Sequence, residues 1–129
     1  MKVLICGSRD WDDPSIIWLV LDGCLADLHE EATVVHGGAR GADRVAGEWA
    51  EERSVPYIVF PADWDTHGKG AGYVRNRQMA SYLTQDEESA MCFAFKNNFN
   101  WDLNKGGTEN MVKLCREAGV PTYVVSRAA

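Results

Sequence analysis

Short runs of branched apolar residues alternate along this chain with stretches whose apolar positions recur at helical spacing. Residues 2–6 (KVLIC) read as a first strand. Asp12 or Asp13 then offers an N-cap, Pro14 suits a first helical turn, and Ile17, Val20, Leu21, Cys24, Leu25 and Leu28 mark one helix face. Residues 32–36 form a second strand, and the helix after it carries Ala42, Val45, Ala46, Trp49 and Ala50 inward. A third strand is expected over 56–60. The longest irregular stretch, 61–72, follows it, with Gly68, Gly70 and Gly72 around Lys69. A helix is predicted over 73–83 and a fourth strand over 90–95. The polar loop 97–107 leads to a helix from near Thr108 with Met111, Leu114, Cys115 and Ala118 inward. Gly119 ends that helix, Pro121 follows, and the last strand is expected over 122–125.

The order βαβαβαβαβ with short turns predicts an α/β fold, a Rossmann-like doubly wound parallel sheet of about five strands with helices on both faces. The 129 residues suit a single domain, 1–129. Apolar residues at 46% and charged residues at 25% are ordinary for a globular protein. No apolar run approaches the ~20 residues of a membrane span. The apolar start is too short for a signal peptide and meets Arg9 and Asp10 at once, so a cytoplasmic protein is expected. Cys6, Cys24, Cys92 and Cys115 show no metal-ligand spacing and read as buried reduced thiols. The net charge of −6 argues against nucleic acid as a partner, because binding its backbone needs clustered Lys and Arg. It leaves room for a small anion held by a few local arginines.

Two glycine-rich turns carry the candidate chemistry. Gly7-Ser8-Arg9-Asp10 follows the first strand, and His36-Gly37-Gly38-Ala39-Arg40-Gly41-Ala42-Asp43 closes the second. Glycine lets backbone approach a ligand closely, and the free N–H groups of a helix start favour phosphate. In a doubly wound sheet these turns share the carboxyl rim with Pro61-Ala62-Asp63-Trp64 and Lys96-Asn97-Asn98. Candidate ligand-binding residues are Gly7, Ser8, Arg9, Gly37, Gly38, Arg40, Gly41, Asp43, Asp63, Trp64, Lys69, Arg75, Asn76, Gly107 and Thr108. Arg9 suits a bidentate phosphate clamp. Asp43 either serves the helix N-terminus or binds a ribose hydroxyl, and Lys69 is expected on a mobile lid that orders over an anion. Trp11, Trp64 and Trp101 are candidates either for stacking a base or for covering core edges. His36 reads as structural. Asp10, Asp12 and Asp13 suit helix capping; with a nucleotide they could also hold Mg²⁺, and no other metal or cofactor is expected.

Taken together, Gly7-Ser8-Arg9-Asp10-Trp11, the 36–43 turn, Pro61-Ala62-Asp63-Trp64, the 68–72 loop with Arg75-Asn76, and Gly107-Thr108 resemble the YspA-like branch of the SLOG superfamily. A looser similarity runs to Lonely Guy proteins and the DNA-processing protein DprA. The resemblance implies a Rossmann-like domain that binds or processes nucleotides or nucleotide-derived ligands. The Lonely Guy motif Pro-Gly-Gly-x-Gly-Thr-x-x-Glu has only Lys105-Gly106-Gly107-Thr108-Glu109-Asn110 as its counterpart here, with the glutamate in another register.

The leading expectation is binding, for sensing or sequestration, of a nucleotide-derived phosphorylated small molecule. A nucleotide N-glycoside hydrolase is one alternative, with Asp10, Asp63 and Glu109 as candidate catalytic carboxylates. Single-stranded nucleic-acid binding of the DprA type is the other. No membrane partner is expected, and a homo-oligomer is compatible with the sequence.

Overall fold

The computed structural model describes residues 1–27 and 31–126. Five strands form one sheet: β1 (Lys2–Gly7), β2 (Thr33–His36), β3 (Tyr57–Val59), β4 (Ala90–Phe95) and β5 (Thr122–Val125). Their order is β3-β2-β1-β4-β5 and every pairing is parallel. The chain runs outward from β1 on one side, then returns to β4 on the other. The switch point therefore lies between the carboxyl ends of β1 and β4, where a ligand crevice opens in such sheets.

Alternation along the central strand divides the core. Val3 and Ile5 of β1 face α1 (Pro14–Asp27) and α2 (Ala42–Glu52), with Ile17, Leu21 and Trp49 wholly buried there. Leu4 and Cys6 face α4 (Ala71–Thr84) and α5 (Gly107–Glu117), packed on Met79, Leu83, Met111 and Cys115. Both sheet faces are covered, which is why the strands read as continuous apolar runs. Among the described residues no helix is long and apolar enough to cross a membrane.

The main departure from expectation lies at 61–72. This stretch holds a short helix, α3 (Trp64–His67), then a 3₁₀ turn (Gly68–Gly70), and α4 starts at Ala71, ahead of the predicted helix start at Tyr73. Asp63 caps α3 by accepting the Thr66 N–H at 3.1 Å. No residue of α3 or the turn is buried, so neither leaves an apolar period in the sequence. The inward set of α5 also differs: Val112 is buried, whereas Ala118 lies beyond the helix end and is exposed. Cys24 is half-buried, not buried; the other three thiols are buried. The predicted inward side chain of Leu25, and Leu28 as a whole, lie outside the described residues.

Candidate functional site

The two glycine turns are neighbours because β1 and β2 are paired, and they pack directly on each other. Ser8 O accepts the N–H of Ala42, the first residue of α2, and of Trp11, both at 3.3 Å. Within the first turn, the Ser8 hydroxyl donates to the Asp10 carboxylate and accepts the Asp10 N–H. Trp11 is buried edge-on to Phe95 and covers the core.

The second turn departs from the expected phosphate cradle. Its three successive N–H groups already have acceptors: those of Gly37 and Ala39 donate to Asp43 Oδ2 at 3.1 and 3.2 Å, and that of Gly38 to His36 Nδ1 at 3.0 Å. A side-chain carboxylate of the protein takes the place expected for an external anion. Gly37 makes room for a neighbour. Its carbonyl accepts Arg75 Nη1 at 2.6 Å, and a Cβ on Gly37 would lie 2.1 Å from that nitrogen. Gly38 faces Val59 of the edge strand. His36 is buried and stacked on Tyr57, and burial, then the Arg75 charge, lowers its pKa.

Asp43 is 5% exposed. Burial pushes its carboxyl up to about 6, against the pull of the Ala39 and Gly37 N–H groups and of the Arg75 and Arg9 charges.

A cavity of about 530 Å³ opens above Asp43 at the switch point. Its wall takes Cys6, Gly7, Ser8, Arg9 and Asp10 from the end of β1 and its turn, and Ala39 and Asp43 from the second turn and α2. Trp64, Lys69, Gly72, Tyr73, Arg75, Asn76 and Met79 come from α3, the 3₁₀ turn and α4, and Lys96, Gly107, Thr108 and Met111 from the end of β4 and from α5. Four cations, Arg9, Lys69, Arg75 and Lys96, thus reach one space from four segments, against Asp10 and Asp43. The helices that start at this rim, α2, α4 and α5, have Gly41, Gly70 and Gly106 at their N-caps, and none has a side-chain cap. Their N-terminal dipoles add to the positive field.

Gly37, Gly38, Arg40, Gly41 and Asp63 do not line the cavity; the other ten expected ligand residues do. Asn76 is buried and ties elements together: its amide donates to Gly107 O and Asn110 Oδ1, while its oxygen accepts Arg75 Nε at 3.2 Å. Trp101 is exposed, edge-on to Phe99, away from the cavity wall. Lys96 is missing from the expected ligand set, although the first position past a strand at the switch point is a readable signal. Tyr73 is missing too, because the expected helix start hides its place on the first turn of α4.

Of the three candidate catalytic carboxylates, only Asp10 borders the cavity. Asp63 is the cap of α3, and the Thr66 side chain and N–H hold its pKa down. Glu109 is fully buried and does not line the cavity; its oxygens accept Lys96 Nζ at 2.8 Å and the Asn100 N–H at 2.9 Å. Burial pushes its carboxyl up, but those bonds outweigh it and hold the pKa below the usual range. Glu109→Gln is expected to cost about 1–3 kcal/mol of stability, because the Lys96 ammonium loses its counter-charge. Urea unfolding at pH 7 checks this; an unchanged midpoint would rule out the structural role. Among the described residues no group of three or more His, Cys, Asp or Glu side chains is placed to hold a metal ion. His29 lies outside the described residues.

The parallel β3-β2-β1-β4-β5 sheet with a cationic cavity at its switch point defines a Rossmann-like α/β protein. The family model described as YspA, cpYpsA-related SLOG family matches residues 1–67, and the chain belongs to that family. It is also similar to the Gene 61 protein of Mycobacterium phage D29, at 36% identity over 93% of this chain and 92% of that protein. Family membership points to nucleotide-related binding or processing.

Proposed function

We propose that this protein binds a nucleotide-derived phosphorylated small molecule in the cavity at the carboxyl edge of the sheet. The observation that carries the reading is the meeting of Arg9, Lys69, Arg75 and Lys96 in one space of a chain whose net charge is −6. Arg9 and Lys69 have no ion pair among the described residues, whereas Arg75 is held in place by Gly37 O and Asn76. A phosphate there gains two cations that make no ion pair among the described residues and one pre-oriented guanidinium, a charge-assisted arrangement stronger than neutral hydrogen bonds. The role is sensing or sequestration.

A thermal-shift series with nucleoside 5′-monophosphates and ADP-ribose tests it. A ligand at about one hundred times its Kd should add about 2.7 kcal/mol of stability and raise Tm accordingly. Arg9→Ala is expected to abolish the shift and leave the unliganded Tm nearly unchanged, since Arg9 is exposed and its partner is the Trp64 ring. If Arg9→Ala responds like the parent, the phosphate does not sit here.

Asp43 favours a second reading, hydrolysis of the N-glycosidic bond of such a ligand. It is a buried carboxyl on the cavity wall with a pKa of about 6, suited to proton transfer at neutral pH. Release of free base from nucleoside 5′-monophosphates, lost in Asp43→Asn, would establish it. Intact ligand after prolonged incubation leaves binding alone.

A further inference from the structure

We propose that the mouth of the cavity is a stacking subsite for a planar heteroaromatic ring, formed by Trp64 and Tyr73, so that the ligand is a nucleoside phosphate and not a sugar phosphate or a free anion. This rests on the phosphorylated-ligand reading and adds the part of the molecule that a cationic site cannot select. Trp64 is 49% exposed and Tyr73 43% exposed, and both line the cavity. A single exposed aromatic needs no explanation. Two at the mouth of one cationic cavity are a different case, because each leaves ring surface in water that a ligand ring would cover.

The local chain builds this arrangement. Asp63 caps α3 and thereby sets Trp64 as its first residue. Gly68, at φ +56, turns the chain into the 3₁₀ segment that leads to α4. The indole edge then reaches the first turn of α4, where a Cβ on Gly72 would lie 3.9 Å from Trp64 Cη2, and Tyr73 is the next residue. The Arg9 guanidinium lies over the indole, 5.8 Å from the ring centroid. Gly72 also brings Arg75 close: the same Cβ would lie 4.0 Å from Arg75 Nη2. Arg9 and Arg75 therefore adjoin the aromatic mouth as well as Asp43. A molecule joining a ring to a phosphate within one nucleotide length fits both halves, and the cavity of about 530 Å³ accommodates it. Aromatic stacking is tolerant of base identity, since every base presents a π-face.

Calorimetric titration with the four ribonucleoside 5′-monophosphates, ribose 5-phosphate and inorganic phosphate tests the subsite. At least one nucleotide should bind about tenfold or more tightly than ribose 5-phosphate. Trp64→Ala should weaken that nucleotide by roughly ten- to a hundredfold and leave ribose 5-phosphate within about twofold. Trp64→Phe should keep most of the affinity and Trp64→Leu should not, which separates stacking from bulk. Equal affinities for the nucleotides and ribose 5-phosphate would overturn the stacking subsite and leave the phosphate site standing. Equal weakening of both by Trp64→Ala would overturn it too, because the indole would then act only by positioning Arg9. Absence of binding by all six compounds would overturn both readings.

Discussion

Gly41→Ala is expected to cost at least about 3 kcal/mol of stability, lowering Tm by roughly 10 °C or preventing folding. Gly41 has φ +77 and ψ −126, a region open essentially to glycine. Space is as restrictive as conformation. A Cβ would lie 2.2 Å from Ser8 O and 2.8 Å from Arg9 O, both backbone atoms of the first turn. The clash falls where Ser8 O accepts the Ala42 N–H, so the two turns must separate or one must rebuild. Gly23→Ala is the control. Gly23 lies in α1, and a Cβ there meets nothing within 4 Å. It should stabilise by about 0.5–1 kcal/mol through helix propensity. Thermal unfolding of both variants decides the matter; a Gly41→Ala protein within about 2 °C of the parent would show that the turns are not rigidly joined.

Asp43→Asn is expected to stabilise the unliganded protein by about 3 kcal/mol at pH 7 and to have little effect at pH 4. The native carboxyl titrates at about 6, against an ordinary value of 3.8. Between those values the unfolded chain has released its proton while the native protein keeps it. The native state therefore binds more protons, and stability falls as pH rises through that window. Above about pH 6 the folded protein holds a buried carboxylate, and the Ala39 and Gly37 N–H groups with the Arg75 and Arg9 charges offset the loss of water only in part. Asparagine can still accept the Gly37 and Ala39 N–H groups without that charge. Urea midpoints for both proteins from pH 4 to pH 7.5 isolate the effect, since every other group titrates alike in the two. Parallel profiles would mean that Asp43 titrates as an ordinary exposed aspartate. A more stable variant that binds ligand less well would mark Asp43 as a site residue retained against stability.

The glycines show how a correct pattern led to a partly different role. Strand, glycine turn and helix were legible twice, and the turns do meet at the carboxyl edge. The glycines of the second turn nevertheless admit protein atoms. Gly37 makes room for Arg75, and Gly41 for the backbone of the first turn. The N–H groups expected to hold phosphate hold Asp43 and His36. A local motif identifies available donors, but the nearest acceptor claims them, and for Gly37 that acceptor is six residues away in the same chain. Asp63 was legible as a polar residue at the rim, yet its capping of α3 was hidden because α3 buries nothing.

Apart from α3 and the 3₁₀ turn, strand and helix identity, their order, and hence the parallel sheet and the position of its carboxyl edge were determined by the sequence alone. The reason is that branched apolar runs and helical periodicity are local, and right-handed crossovers leave few topologies. Arg9, Lys69 and Arg75 could be named from their places beside turns. Only the tertiary structure decided which groups face the cavity, because that depends on which elements meet across the switch point. It turned Asp43 inward to the second turn, buried Glu109 under Lys96, tied Asn76 to the start of α5, and brought Lys96 and Tyr73 to the site. The buried polar groups among these follow one rule: a polar group cut off from water must find a protein partner, and the packing of distant segments determines which partner is within reach.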